Sequence, residues 1–187
     1  MNGLNYPVIF KTMDVRADAA IASAVQQAVT DAESLWAPEK FDGVFPVKGF
    51  GIKRLQPRDM VSNSGSIVGP SNSTWVFSAQ TASTWVTWIS AGVLSDSCYA
   101  IITGFFCYDT SPDVDALKII ADGIEYATYD IQEAWGWDVA TAYFSHPVVV
   151  RPEKTITIKA KAQTTGQKKL GLLGYVLAKR SYLIGEL

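Results

Sequence analysis

Apolar and polar positions alternate without a break from Thr155 to Ala162. Ile156, Ile158, Ala160 and Ala162 fall on one face and Thr155, Thr157, Lys159 and Lys161 on the other. This period of two predicts a strand with one wet face. A polar turn, Gln163-Thr164-Thr165-Gly166-Gln167, follows it. The chain from Leu170 to Leu183, rich in Leu, Val and Tyr, then predicts a last strand. Further back, the patterning predicts strands at Trp75–Ala79, Thr84–Val93, Ser97–Tyr108, Leu117–Ala121, Ile124–Ile131, Ala140–Phe144 and Val148–Val150. Asp122-Gly123 between Ile120 and Ile124 is a hairpin signal. Tyr99–Tyr108 is apolar on both faces, as expected of a central strand covered on both sides.

The first 74 residues read differently. Residues 1–13 predict an extended arm whose Tyr6, Val8, Ile9 and Phe10 need a partner surface, on this chain's own body or on a neighbour. Residues 18–36 predict one amphipathic helix: Ile21, Val25, Ala28, Ala32 and Leu35 recur at spacings of four and three, and the apolar stripe of Ile21, Val25, Val29, Leu35 and Trp36 is narrow. Asp14 or Asp18 can cap its start, and Pro38 stops the chain beyond its end. Residues 37–74 are rich in Gly, Pro, Ser and Asn and predict loops, with short strands at Val44-Phe45 and Gly51–Leu55. About eight strands without alternating helices predict an all-β fold, a β-sandwich or small barrel. The arm and helix (residues 1–40) precede a β-domain over residues 41–187.

Composition agrees. In 187 residues, 48% are hydrophobic and 12% aromatic, with six Trp. That supplies an ordinary core and favours strands over a helical bundle. The net charge of −2 hides segregation. Residues 109–138 carry eight acids and only Lys118 as a base, whereas residues 139–187 carry eight bases and only Glu153 and Glu186 as acids. Either the two blocks form neighbouring strands whose outer faces attract, or one subunit's acidic edge meets the next subunit's basic edge. The cations of the basic block alternate with buried positions instead of running together, and the first 40 residues hold only Lys11, Arg16 and Lys40 as cations. Direct nucleic-acid binding is therefore not expected.

Cys98 and Cys107, on one strand, would stand about 30 Å apart, beyond the roughly 7 Å a disulfide allows. Their odd separation also predicts opposite faces, hence two buried free thiols. No signal-peptide pattern opens the chain, and no apolar run reaches the ~18–20 residues of a bilayer span. The glycosylation pattern Asn72-Ser73-Thr74 has no secretion signal to make it meaningful.

Chemistry-bearing motifs are sparse, and no catalytic residue, metal site or cofactor is assigned. His146 is the lone histidine, and no motif brings a nucleophile and an orienting acid to it. Glu125, Asp130 and Glu133 are the candidate carboxylates for a glycosidase pair; the bland reading is a solvated acidic rim. Asp109, Asp113 and Asp115 crowd a loop of the kind calcium favours, without the Gly and distal Glu of an EF-hand. Trp135 and Trp137 flank Gly136 and, with Tyr143, form a candidate sugar platform or subunit contact. Gly171 and Gly174 lie inside a strand pattern and read as bulge or packing glycines.

The segment from His146 to Ile158, followed by Lys169-Leu170-Gly171-Leu172-Leu173-Gly174-Tyr175-Val176, resembles the closing strands of jelly-roll virion proteins, the capsid and capsid-decorating (cement) proteins of bacterial viruses. The shared order is a short apolar strand, a Pro turn, an alternating strand, a polar turn and a Gly-containing last strand, over about 40 residues. The resemblance implies a jelly-roll β-sandwich with an N-terminal arm and a non-enzymatic structural role in the virion, assembled in the host cytoplasm. Its partners would be copies of itself and other virion proteins, through Tyr6, Val8, Ile9, Phe10, Trp135 and Trp137. A carbohydrate-binding module is the second expectation and a glycoside hydrolase the third.

Overall fold

The computed structural model describes residues 9–10, 15–36, 49–60, 74–107, 113–132 and 141–184. In chain order these form β1 (Ile9–Phe10), α1 (Val15–Trp36), β2 (Phe50–Arg54), a 3-10 turn (Pro57–Met60), β3 (Phe77–Ala79), β4 (Trp85–Val93), β5 (Cys98–Cys107) and β6 (Val114–Ala121). They continue as β7 (Ile124–Asp130), β8 (Thr141–Val150), β9 (Thr155–Ala162), β10 (Gly166–Lys168), β11 (Leu170–Lys179) and α2 (Arg180–Ile184). The fold is all-β apart from these helices, and every strand pairing is antiparallel.

Two sheets carry the molecule. One runs β1-β8-β5-β11-β2 and the other β4-β9-β6-β7; β10 and β3 form a separate ribbon. From β2 onward the long strands cross between the two sheets at every step except the β6–β7 hairpin. Long-range pairing of this kind leaves each sheet's inner face to be covered by the other. The core between them includes Trp88, Ile102, Phe105, Leu117, Ile119, Phe144, Ile158 and Leu172, all 2% exposed or less. Tyr129 of β7 lies flat against Phe144 of β8, ring centroids 3.7 Å apart, and so joins the two sheets.

A third layer covers one sheet only. Helix α1 lies on the outer face of the β1-β8-β5-β11-β2 sheet, over Tyr99, Ile101 and Leu177. This explains why β5 is buried on both faces. The helix faces the sheet with Ala17, Ile21, Ala24, Ala28 and Ala32. Ile21, Ala28 and Ala32 of the expected period are thus buried, and Val25, Val29 and Trp36 pack half-buried beside them, whereas Leu35 is 54% exposed. Alanines have no branches to hold the helix axis away from the large rings below, so the small face docks and the branched residues flank it. We call this the covered sheet and the β4-β9-β6-β7 sheet the open sheet.

Several sequence expectations hold in detail. β9 buries the alternate residues it should. Asp122 and Gly123 close the β6–β7 hairpin with φ of 51° and 76°, the left-handed pair a two-residue type I′ turn requires. A Cβ on Gly174 would collide with the carbonyl oxygen of Ile101, and one on Gly171 would strike the Phe106 ring.

Others are corrected. Cys98 and Cys107 are buried free thiols on one strand, but both belong to the inner core. Thr103 is skipped in the register of β5 with both neighbours, and this extra residue restores the parity that an odd separation would otherwise break. Ala140–Phe144 and Val148–Val150 merge into the single strand β8, with Ser145-His146-Pro147 as an irregularity inside it. The last strand ends at Lys179 and turns into α2. The expected strand at Val44-Phe45 lies outside the described residues.

Candidate functional site

The charge segregation resolves within one molecule. Acidic β6 and its flanks lie beside basic β9. Lys154 reaches Asp122 at 2.8 Å and Lys161 reaches Asp115 at 3.8 Å. Lys168, 8% exposed at its side chain, meets Asp113 at 2.8 Å and Thr164 Oγ1 at 2.7 Å. Lys118 of β6 pairs with Glu125 of β7 at 3.0 Å, and its ammonium also stands 4.9 Å from the Trp85 ring centroid. Of the two readings of the charge blocks, the attraction of neighbouring strands is the one these pairs realise.

The carboxylates considered for chemistry are accordingly engaged. The Glu125 carboxyl titrates below its usual range, first through the hydrogen bond from Lys118 and next through the one from Thr128. Asp113 and Asp115, the described part of the acidic loop, face lysines rather than a vacant oxygen cage. Asp109 and Glu133 lie outside the described residues. Among the described residues no group of three or more His, Cys, Asp or Glu side chains can hold a metal ion. His146 is exposed, with Nδ1 2.9 Å from Ser145 Oγ, and Asp130 is exposed on β7.

Of the residues expected at an interface, Ile9 and Phe10 form β1 and pair with Phe144 and Tyr143 of this chain's own β8. Two residues of the arm therefore extend the covered sheet from within. Tyr6, Val8, Trp135 and Trp137 lie outside the described residues.

A feature that no local sequence pattern announces sits at one end of the sandwich. There the C-terminal half of α1, the β8–β9 turn and the β4–β5 loop enclose a cleft of about 620 Å³, lined among others by Asp31, Trp36, Tyr99, Arg151 and Lys179. A neighbouring cleft of about 390 Å³, bordered by Ile124 and Tyr126, shares Asp31, Arg151 and Lys154 with it. The Arg151–Asp31 bridge, 2.6 Å long, marks their common wall. Burial pushes the Tyr99 hydroxyl up and the nearby Asp31 carboxylate adds to it, whereas the Asp96 carboxyl is held down chiefly by the Ser97 hydroxyl. Lys179 stands 5.6 Å from the Trp36 ring centroid. The arrangement offers paired charges and aromatic surface.

Ile124 and Tyr126, 63% and 55% exposed, are among the few large apolar side chains left in solvent among the described residues. Both lie on β7, the outermost strand of the open sheet, whose only strand partner among the described residues is β6. An unpaired strand edge with apolar side chains is a template for another chain. Comparison with known proteins adds no relative: no family model, characterised protein or solved structure matches the chain.

Proposed function

We propose that this chain is a structural subunit of a virion, a capsid or capsid-decorating protein that acts through contacts between subunits. The observation that supports the reading is the strand order. Leaving aside the short β1, β3 and β10, eight strands remain. The first, last, third and sixth of them make one sheet (β2-β11-β5-β8), and the second, seventh, fourth and fifth make the other (β4-β9-β6-β7). We read that interleaving as jelly-roll order, in which two Greek keys share one core, and it supports the proposal. Jelly rolls serve as shell subunits, as lectins and as cupins, so the step from order to role is an analogy of fold. The charged sheet surface closed by internal ion pairs and the apolar edge at Ile124 and Tyr126 favour assembly among these roles. The assembling surface in this reading is the β7 edge, since Ile9 and Phe10 are engaged by β8 of the same chain.

The test is self-association. Sedimentation velocity from micromolar to millimolar concentration should show growth into oligomers, and negative-stain microscopy should show closed or lattice-like particles. Ile124→Lys with Tyr126→Lys should return the protein to monomers without changing its far-ultraviolet circular dichroism. A monodisperse monomer across the whole range would sink the proposal.

A further inference from the structure

The extra residue Thr103 that resets β5 also lines a hollow of about 230 Å³ on the covered sheet. Its wall draws on all four long strands of that sheet, and every residue lining it lies among those described: Arg54 at the end of β2, Thr103 and Phe106 of β5, Tyr143 of β8, Tyr175 of β11, and Trp75 just before β3 are its chemically distinctive members. We infer that this hollow binds a single pyranose ring carrying a carboxylate, an acidic sugar unit, on a site independent of the shell role proposed above.

Three observations carry it. First, the size: pockets for drug-sized ligands run from about 300 to 1,000 Å³, so this one takes one ring and little more. Second, the walls: Trp75, Phe106, Tyr143 and Tyr175 are all half-buried. All four line the space, and the C–H edge of a pyranose stacks on an aromatic face because the ring's quadrupole attracts it. Third, the rim: Arg54 is exposed, and neither its guanidinium nor the hydroxyls of Tyr143 and Tyr175 make a hydrogen bond or ion pair with any described residue. A guanidinium takes a carboxylate in a two-pronged, charge-assisted pair, and the phenol hydroxyls can serve the ring oxygens. A wholly apolar occupant such as a peptide phenylalanine would fill the same walls and leave these donors facing it without partners, at a cost in binding. A register bulge is also where sheets commonly re-aim side chains toward a ligand.

The experiment is saturation-transfer NMR and calorimetry on the full chain, with methyl β-glucuronide, methyl β-glucoside and N-acetylphenylalanine amide as probes. The glucuronide should receive saturation on its ring protons and bind at least tenfold more tightly than the glucoside. Arg54→Gln, an exposed position whose change leaves the core intact, should abolish that preference and leave the glucoside as it was. Trp75→Ala should weaken both sugars at least tenfold. Equal affinity for the two sugars, undiminished glucuronide binding by Arg54→Gln, or binding of the phenylalanine amide alone would overturn the assignment. So would the absence of saturation transfer to either sugar.

Discussion

The two sheets share one core and differ in what lies on their other side. In the covered sheet β5 is buried along nearly its whole length, because Ile102 and Phe105 point to the opposing sheet while Tyr99 and Ile101 point to the helix. In the open sheet β9 buries Ile156, Ile158 and Ala160, while Lys159 and Lys161 on its other face remain partly exposed. The covered sheet is thus held by apolar area on two faces. The open sheet is held by apolar area on one face and by pairs such as Lys161–Asp115 on the other. Burial of an Ile side chain stabilises by about 1.5–3 kcal/mol, and an exposed ion pair by about 0–1 kcal/mol. The energetic asymmetry between the sheets therefore lies almost wholly in the helix-covered face.

Alanine scanning across the four faces gives the largest effect. Ile102→Ala and Ile101→Ala, on the two faces of β5, should each cost about 2–5 kcal/mol, as should Ile158→Ala on the inner face of β9. Lys159→Ala on the outer face of β9 should change stability by no more than about 0.5 kcal/mol. Urea denaturation followed by circular dichroism measures all four. If Ile101→Ala were as mild as Lys159→Ala, the helix would be an ornament on the covered sheet and the contrast between the sheets would fail.

One polar contact should break the rule that charge matters little here. Lys168 is nearly buried between Asp113 and Thr164, and it fastens the β9–β10 turn to the start of β6. Removing the ammonium leaves Asp113 with less compensation at a site it cannot fully leave. Breaking a fully buried pair costs about 3–5 kcal/mol, and Asp113 retains 26% side-chain exposure. Lys168→Met should therefore cost about 2 kcal/mol by chemical denaturation. The variant Asp113→Asn with Lys168→Met should recover part of it, because no charge is then left behind.

The alternation of β9, the Asp122-Gly123 turn and the two-faced burial of β5 were legible because each is a local pattern written in consecutive residues. The faces of Cys98 and Cys107 were not, since one unpaired residue, Thr103, changes parity and nothing in its side chain signals it. The helix's docking face was legible only in part, through Ile21, Ala28 and Ala32, for a different reason. Hydropathy favours Val25, Val29 and Leu35, but docking on a sheet crowded with Tyr99 and Ile101 favours alanine. The clefts were out of reach for a third reason. Asp31 and Arg151 stand 120 positions apart in sequence, and the hollow at Thr103 takes Arg54, Trp75, Tyr143 and Tyr175 from separate elements. Such sites exist only after the sheets have formed.

Tyr129, where the two sheets meet ring to ring, offers a sharper and smaller test. Its hydroxyl is buried without a hydrogen-bond partner among the described residues, and burial pushes its pKa well above the ordinary tyrosine value. Because the folded state disfavours the phenolate, its contribution is fully present below the unfolded value near 10 and is lost as pH rises above it. Tyr129→Phe keeps the stacked ring against Phe144 and deletes the unpaired hydroxyl. It should raise stability by about 1 kcal/mol at pH 7 and blunt the fall in thermal midpoint above pH 10. A loss of stability at pH 7 would mean that the hydroxyl has a partner after all.

The smallest effect tests the outer face of the open sheet. Glu125 accepts hydrogen bonds from Lys118 and Thr128, and these hold its carboxyl below the usual range. A lowered folded value means stability that is present above the unfolded carboxylate value of about 4.3 and is lost as pH falls through the folded one. The side chain of Glu125 is half exposed, so solvent screens the gain to a small fraction of what the contact distance suggests. Thermal melts of the native chain and Glu125→Gln should therefore differ slightly at pH 6, with the native chain higher, and converge as the solution is acidified below pH 4. One molar salt, with a screening length of about 3 Å, should close most of the same gap at pH 6. A gap that survived both acid and salt would show that Glu125 contributes through packing and not charge, and would place it with the apolar positions of the covered sheet rather than with the ion pairs of the open one.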